Sequence, residues 1–386
     1  MELINFDHMS ANPLLPEVQE AMIAAIRANY GNPSSPHSAG EAAAAVLDKC
    51  RETVAMLINA QGREIVFTSC GTESVNLAVK GLAWARQDRG KHIVTCNVEH
   101  NAVIRSLRRL KQMGFTITSV PVDEYGRVNV NTLAKAVRDD TILISIMHGN
   151  NEIGTIQPVS EIAAIAKERK VAFHVDAVDS VGVVPIDVET LGADLVSFAS
   201  NPYYGPTGVG GLYVKKGTQL WSLLDGGIQE NRRRAGTENL IGIVGMAKAA
   251  ELAMADMETR TAHYRKLREL LLTELPHYVE DYIINGHPTH CLPNLVSVAV
   301  RHVEGESVVL MLDELGIEVS TRSACASGSL RASHVLLSTG LGFADCQGTL
   351  VLTFGVDNTE EQVMRFLAAL KDVVGTLRSI SPLVKK

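Results

Sequence analysis

At 386 residues the chain exceeds what one ordinary hydrophobic core serves and falls short of three, so two domains are expected. With 46% hydrophobic and 20% charged residues it has the composition of a folded globular protein, which excludes disorder. A net charge of −7 lacks the basic excess of a nucleic-acid binder, and no apolar run reaches the ~20 residues needed to cross a bilayer, so neither nucleic acid nor membrane is an expected partner.

The opening MELINFDHMS has no cationic segment followed by an apolar one, and a cytoplasmic protein is expected. From about Glu64 a short apolar run, a turn and an amphipathic stretch recur. The runs are EIVFT, KHIVTCN, FTITSV, TILISIM, VAFHVD, DLVSFA and GGLYV, with helical patterns such as VSEIAAIAKERK between several of them. Strands alternating with helices predict a mainly parallel sheet covered on both faces, forming a large α/β domain over residues 15–250. The remainder reads as a long helix from Thr237 to Leu275, the run NLVSVAV, a helix from Glu306 to Leu315, then GIEVS, GTLVLTF and a last helix from Thr359. This predicts a smaller α+β domain built from residues 1–14 and 251–386, with the N-terminal helices packed near it. The six cysteines (Cys50, Cys70, Cys96, Cys291, Cys325 and Cys346) contain no CxxC pair, so neither a zinc ribbon nor a disulfide framework is indicated, and most are expected to be buried. Arg232, Arg233 and Arg234 fit a solvated surface or a phosphate-facing loop.

In such a sheet ligands sit beyond the carboxyl ends of the strands. In TSCGTESVNLAVKG, Ser69 to Thr72 join a strand to a helix, and small residues there let free N–H groups meet an anion at the positive end of the helix dipole; Thr72 with Glu73 is equally an ordinary helix start. CNVEHNAV ends a strand at His100, HGNNEIG carries Asn150 and Asn151, and HVDAVDS places Asp176 at the end of a strand. Singly each reads as a capping or turn residue; in successive strand-end loops they converge on one crevice.

The segments DHMSANP, GNPSSPHSAG, FTSCGTESVNLAVKG, VEHNAV, NNEIGTIQPV, HVDAVDSVG, YGPTGVGGLYV, RAGTEN and STRSACASGSL resemble, in order and spacing, the motifs of cysteine desulfurases of the class V aminotransferase type, over nearly the whole chain. The resemblance implies the pyridoxal-phosphate-dependent transferase fold of type I, with a seven-stranded sheet, and a homodimer with its site at the subunit interface. It implies that Gly71 and Thr72 hold the cofactor phosphate, that His100 stacks on the pyridine ring, that Asp176 pairs with the ring nitrogen, that Asn151 lies near the ring and that Thr237 reaches the phosphate of the other subunit. Cys325, in a loop of small residues, resembles the nucleophile that carries sulfur as a persulfide, and a transient iron–sulfur ligand role stays open to it. Arg322, where the family has a small residue, favours the thiolate.

The pattern breaks where the chemistry is most demanding. The family's Ser-x-His-Lys motif falls on Ala199, Asn201 and Pro202, and a second family lysine on Thr207. Proline offers no amine, so covalent cofactor attachment and lysine-mediated proton transfer are lost there. The family arginine that clamps the substrate carboxylate falls on Val351, and the glutamine near the cofactor's phenolic oxygen on Asp179. Three readings follow: a sulfur-trafficking or iron–sulfur assembly protein that uses Cys325, binds pyridoxal phosphate weakly or not at all, and serves a scaffold or other sulfur acceptor; an active cysteine desulfurase with another base; and an unrelated enzyme on the reused crevice.

Overall fold

The computed structural model describes residues 3–321 and 332–380. In chain order it runs β1 (Ile4–Asn5), α1 (Pro16–Ala28), α2 (Ser38–Met56), β2 (Ile65–Thr68), α3 (Gly71–Asn76) and α4 (Leu82–Arg86). Next come β3 (His92–Cys96), α5 (Asn101–Gln112), β4 (Thr116–Val120), α6 (Val130–Ala136), β5 (Thr141–Met147) and α7 (Val159–Arg169). These lead to β6 (Ala172–Asp176), α8 (Val188–Leu191), β7 (Leu195–Ala199), β8 (Gly210–Val214) and the 35-residue α9 (Leu240–Glu274). The chain ends with β9 (Tyr282–Asn285), β10 (Leu295–Val300), α10 (Gly305–Glu314), β11 (Ile317–Glu318), α11 (His334–Ser338), α12 (Phe343–Gln347), β12 (Thr349–Thr353) and α13 (Glu360–Ile380).

All seven expected apolar runs enter one sheet, in the order β2-β8-β7-β6-β5-β3-β4. Every pairing is parallel except those of β8, which is antiparallel to both neighbours. The chain is therefore a mixed α/β protein on a mostly parallel sheet. Every residue of β5, β6 and β7 is buried, the continuous burial that helices on both faces impose. Three of the central strands are cross-linked by a buried histidine: His174 meets Ser145 Oγ through Nδ1 (2.9 Å) and Ser197 Oγ through Nε2 (3.0 Å). Burial pushes that imidazole down to about 3, so it stays neutral and the contacts tie the middles of the three strands together.

A three-stranded antiparallel sheet, β12-β10-β9, carries a second hydrophobic cluster with Ile4, Phe6, Leu267, Leu271, Phe354 and Phe366. Strand β9 had no counterpart in the sequence reading. The N-terminal helices differ from expectation as well. Val18, Ala43, Leu47 and Val54 join the large-sheet cluster and pack with the first half of α9, because that half presents Leu240, Ile243, Met246 and Ala250 toward them. Only the second half of α9 serves the smaller sheet.

Candidate functional site

The carboxyl ends of β2, β3, β5, β6 and β7 surround a cavity of about 460 Å³. Its lining includes Gly71, Thr72, His100, Asn151, Asp176 and Asp179, together with Ala199, Asn201 and Thr207. Strand-end loops that are distant in sequence thus meet in one crevice. Thr237 is exposed on the segment before α9 and does not line this cavity. Cys325 and Arg322 lie outside the described residues.

The turn Ser69–Thr72 is shaped by what it touches. Ser69 N–H donates to Glu73 Oε2 (2.7 Å), and Glu73 Oε1 accepts from Arg234 Nε (2.9 Å). Burial would raise the Glu73 carboxyl, but the hydrogen bonds from Arg234 and Ser69 outweigh it and hold the group below the ordinary carboxylate value. The N–H groups of Gly71 and Thr72 open α3 and have no intrahelical acceptor, so they are available to an anion in the cavity. Only glycine fits at 71, since a Cβ there would sit 2.6 Å from Val178 Cγ2.

His100 caps α5. Its Nδ1 accepts from Ala102 N (3.1 Å), which fixes the proton of the neutral ring on Nε2. Asn150 and Asn151 divide the work. Asn150 is wholly buried, donates to Val98 O (2.9 Å) and accepts from the N–H groups of Glu152 and Ile153, so it is the turn residue, while Asn151 faces the cavity. Asp176 is 5% exposed, and Val178 N–H donates to its Oδ1 at 3.2 Å. Its carboxyl is pushed up to about 6, first by burial and then by Asp179, with His100 pulling the other way. Behind it stands Glu99, which is completely buried. Its Oε1 accepts from Met147 N (2.8 Å) and Cys96 Sγ (3.1 Å), and its Oε2 has no partner among the described residues. Burial drives this carboxyl up to about 8.

The two described ends of the Cys325 segment are both anchored near the cavity. On one side Ser320 exchanges backbone hydrogen bonds with Val351 (3.2 and 2.6 Å). On the other, Ser333 Oγ donates to Glu152 Oε2 and His334 Nε2 donates to Glu99 O (2.9 Å), next to Asn151 and His100. Val351 itself is 1% exposed and packs with Met9, Leu292 and Leu295. Of these four only Met9 lines the cavity, beside Ser10, so the apolar cluster stands behind its wall.

Among the described residues no lysine and no arginine lines the cavity. Pro202 is buried in a short 3₁₀ turn and does not line it; its neighbour Asn201 does, with its backbone carbonyl accepting from Asn12 Nδ2 (2.7 Å). These residues fit the phosphate and the ring of pyridoxal phosphate. They do not fit a covalent anchor for its aldehyde. Sequence reasoning missed Met9, Ser10, Cys70 and Glu99; Glu99 was signalled only by its place beside His100.

Comparison with known proteins identifies the family of the fold. A family model described as Aminotransferase class-V matches residues 4–366. A cysteine desulfurase IscS from Dictyoglomus turgidum is 45% identical over 379 residues, covering 98% of this chain and 96% of that protein. A cysteine desulfurase IscS from Methanosarcina thermophila is 46% identical over 383 residues, covering 99% and 95%. A solved NifS-like protein superposes with a TM-score of 0.92 at 36% identity, over 97% of this chain and all of its own.

Proposed function

This chain belongs to the class-V aminotransferase family, and from that premise we propose that it is a cysteine desulfurase-type protein of sulfur trafficking and iron–sulfur cluster assembly whose working group is Cys325. The observation that carries this reading is the cavity: no lysine or arginine among its described lining residues, Pro202 in the segment before YGP, and, behind Met9, an apolar cluster that holds Val351 at the position of the family's substrate-clamping arginine. In this reading the protein works as a cytoplasmic homodimer, takes sulfur from a donor persulfide and passes it to a scaffold or other acceptor.

The transfer balances without an added redox reagent. The Cys325 thiolate attacks the outer sulfur of a donor persulfide; the donor's S–S bond breaks, the donor leaves as a thiolate that takes up a proton, and Cys325 holds the persulfide. An acceptor thiolate repeats the step on Cys325. Arg322 raises the thiolate fraction. Pyridoxal phosphate, when bound, supplies an electron sink for an amino acid joined to it. Toward that group Gly71 and Thr72 would hold the phosphate, His100 would cover the ring with Nε2–H available as a donor, Asp176 would face the ring nitrogen with Asn151 beside it, and Thr237 would reach the partner subunit's cavity. Asp179 beside the phenolic oxygen would repel it when both are ionised.

The test is peptide mass spectrometry of Cys325. Polysulfide or a persulfidated donor adds one sulfur there, Cys325→Ser abolishes passage of the label to a scaffold protein, and borohydride fixes no pyridoxal phosphate to the chain. A second reading, an active desulfurase with another base, is favoured by the identity of 45% and 46% to proteins named cysteine desulfurase. Persulfide formed on Cys325 from L-cysteine alone, or a stoichiometric borohydride-fixed adduct, would establish that reading instead.

A further inference from the structure

Glu230 (φ 48°, ψ 40°), Asn231 (φ 55°, ψ 40°) and Arg232 (φ 64°) follow one another in the left-handed region, while every other left-handed non-glycine residue described stands alone. A left-handed turn of three residues with side chains does not arise from local preference; it persists only where the surroundings over-determine it. Here the surroundings are the open edge of the large sheet. Strand β2 is one of its two edge strands. On its outer side Arg51 Nη1 donates to Ile65 O (3.0 Å) and Phe67 N–H donates to Glu230 Oε2 (2.8 Å). Arg51 and Glu230 are themselves joined twice, Nη1 to Oε2 at 2.7 Å and Nη2 to Oε1 at 2.6 Å. Their side chains are 13% and 1% exposed, and the guanidinium lies 4.7 Å from the Phe67 ring centre. The ion pair stands in for the donor and acceptor of a missing neighbouring strand.

Two residues beyond the turn, Arg234 reaches Glu73, and Glu73 closes the Ser69–Thr72 turn through the Ser69 N–H. We propose that Arg51 and Glu230 are positioning residues for the anion-binding turn of the cavity: by fixing the left-handed turn on the sheet edge they hold Arg234 against Glu73. The ligand class is a phosphate or phosphate monoester at the Gly71 and Thr72 N–H groups. If the pair is broken, the turn relaxes toward ordinary backbone and Arg234 withdraws. Glu73 then stands unneutralised at the start of α3, repels the incoming anion and no longer shapes the turn. This rests on the reading of the cavity as an anion site and is independent of sulfur transfer at Cys325.

Titration of the full-length protein with inorganic phosphate and with pyridoxal 5′-phosphate, by calorimetry at a temperature where circular dichroism reports each variant folded, tests the proposal. Glu230→Gln keeps size and one acceptor but loses the charge pair, and weakens phosphate binding about tenfold or more. Arg51→Lys keeps charge without the bidentate fork and does the same, deciding the matter where Glu230→Gln does not fold. Combining Glu230→Gln with Arg234→Met weakens binding no further than Arg234→Met alone, because both act through Glu73. The proposal is overturned if the folded variants bind phosphate within about twofold of the parent while only their melting temperature falls, or if the double variant is additive. A parent protein that binds neither probe overturns it too and leaves the Cys325 reading as it stands; a Cys325 that accepts no sulfur leaves this proposal untouched.

Discussion

Glu99→Gln should remove a loss of stability that the parent protein suffers between about pH 6.5 and 8. Glu99 is 0% exposed, and its carboxyl is pushed from the ordinary 4.5 up to about 8. The folded chain therefore keeps a proton that the unfolded chain has released, and stability falls as pH rises from 4.5 to 8, by ~1.4 kcal/mol per pH unit. Below pH 6.5 other groups mask this. His148 and His174, pushed by burial down to about 4 and about 3, are neutral when folded and charged when unfolded, so they make stability rise with pH up to their unfolded value of 6.5. Asp176, pushed up to about 6, adds a falling contribution from 3.8 to 6. Two rising and two falling contributions nearly cancel from pH 4.5 to 6. Above 6.5 Glu99 outweighs the residual titration of the two histidines, and the net loss by pH 8 is about 1 kcal/mol. At an unfolding entropy of ~2.1 cal/mol/K per residue this is ~1 °C in melting temperature. Scanning calorimetry at pH 6.5, 7.2 and 8 should give that decline in the parent and no decline in Glu99→Gln, whose amide oxygen still accepts from Met147 N. A parent that is flat over this range, or a variant that declines as steeply, would refute the reasoning.

Tyr203 is completely buried, its ring lies against Gly182, and its hydroxyl has no partner among the described residues. Leaving such a group unsatisfied costs ~1–3 kcal/mol, so Tyr203→Phe should raise stability by about 1 kcal/mol in urea unfolding, and a drop would mean that the hydroxyl is bonded in the assembled protein. Pro202→Lys by itself should not restore family-like sulfide release from L-cysteine, measured colorimetrically, because Val351, packed with Met9, Leu292 and Leu295, still offers no cation to the substrate carboxylate; family-like turnover from that single change would remove the basis for a re-purposed cavity.

The sheet and most of the crevice were legible in the sequence. Alternating apolar runs and amphipathic stretches specify a buried parallel sheet because each strand must hide both faces, and a ligand site beyond the strand ends follows from that topology. His100 and Asp176 could be read because each stands at or just after the end of a run whose direction the pattern already gives. What the sequence left open depends on contacts between distant positions. Whether Asn150 or Asn151 faces the cavity turns on which of them the buried turn consumes. The N-terminal helices found the first half of α9 because that is where the complementary apolar face stands, and the short, half-buried β9 has too little apolar periodicity to declare itself. Arg51 and Glu230 are 179 positions apart, and Glu99 differs from a surface glutamate only in the depth at which the fold places it. Local pattern determined the elements and the mouth of the site; the proton affinities, the apolar cluster around Val351 and the edge-capping ion pair were decided by tertiary packing, because desolvation and charge pairing are set by what surrounds a residue in space.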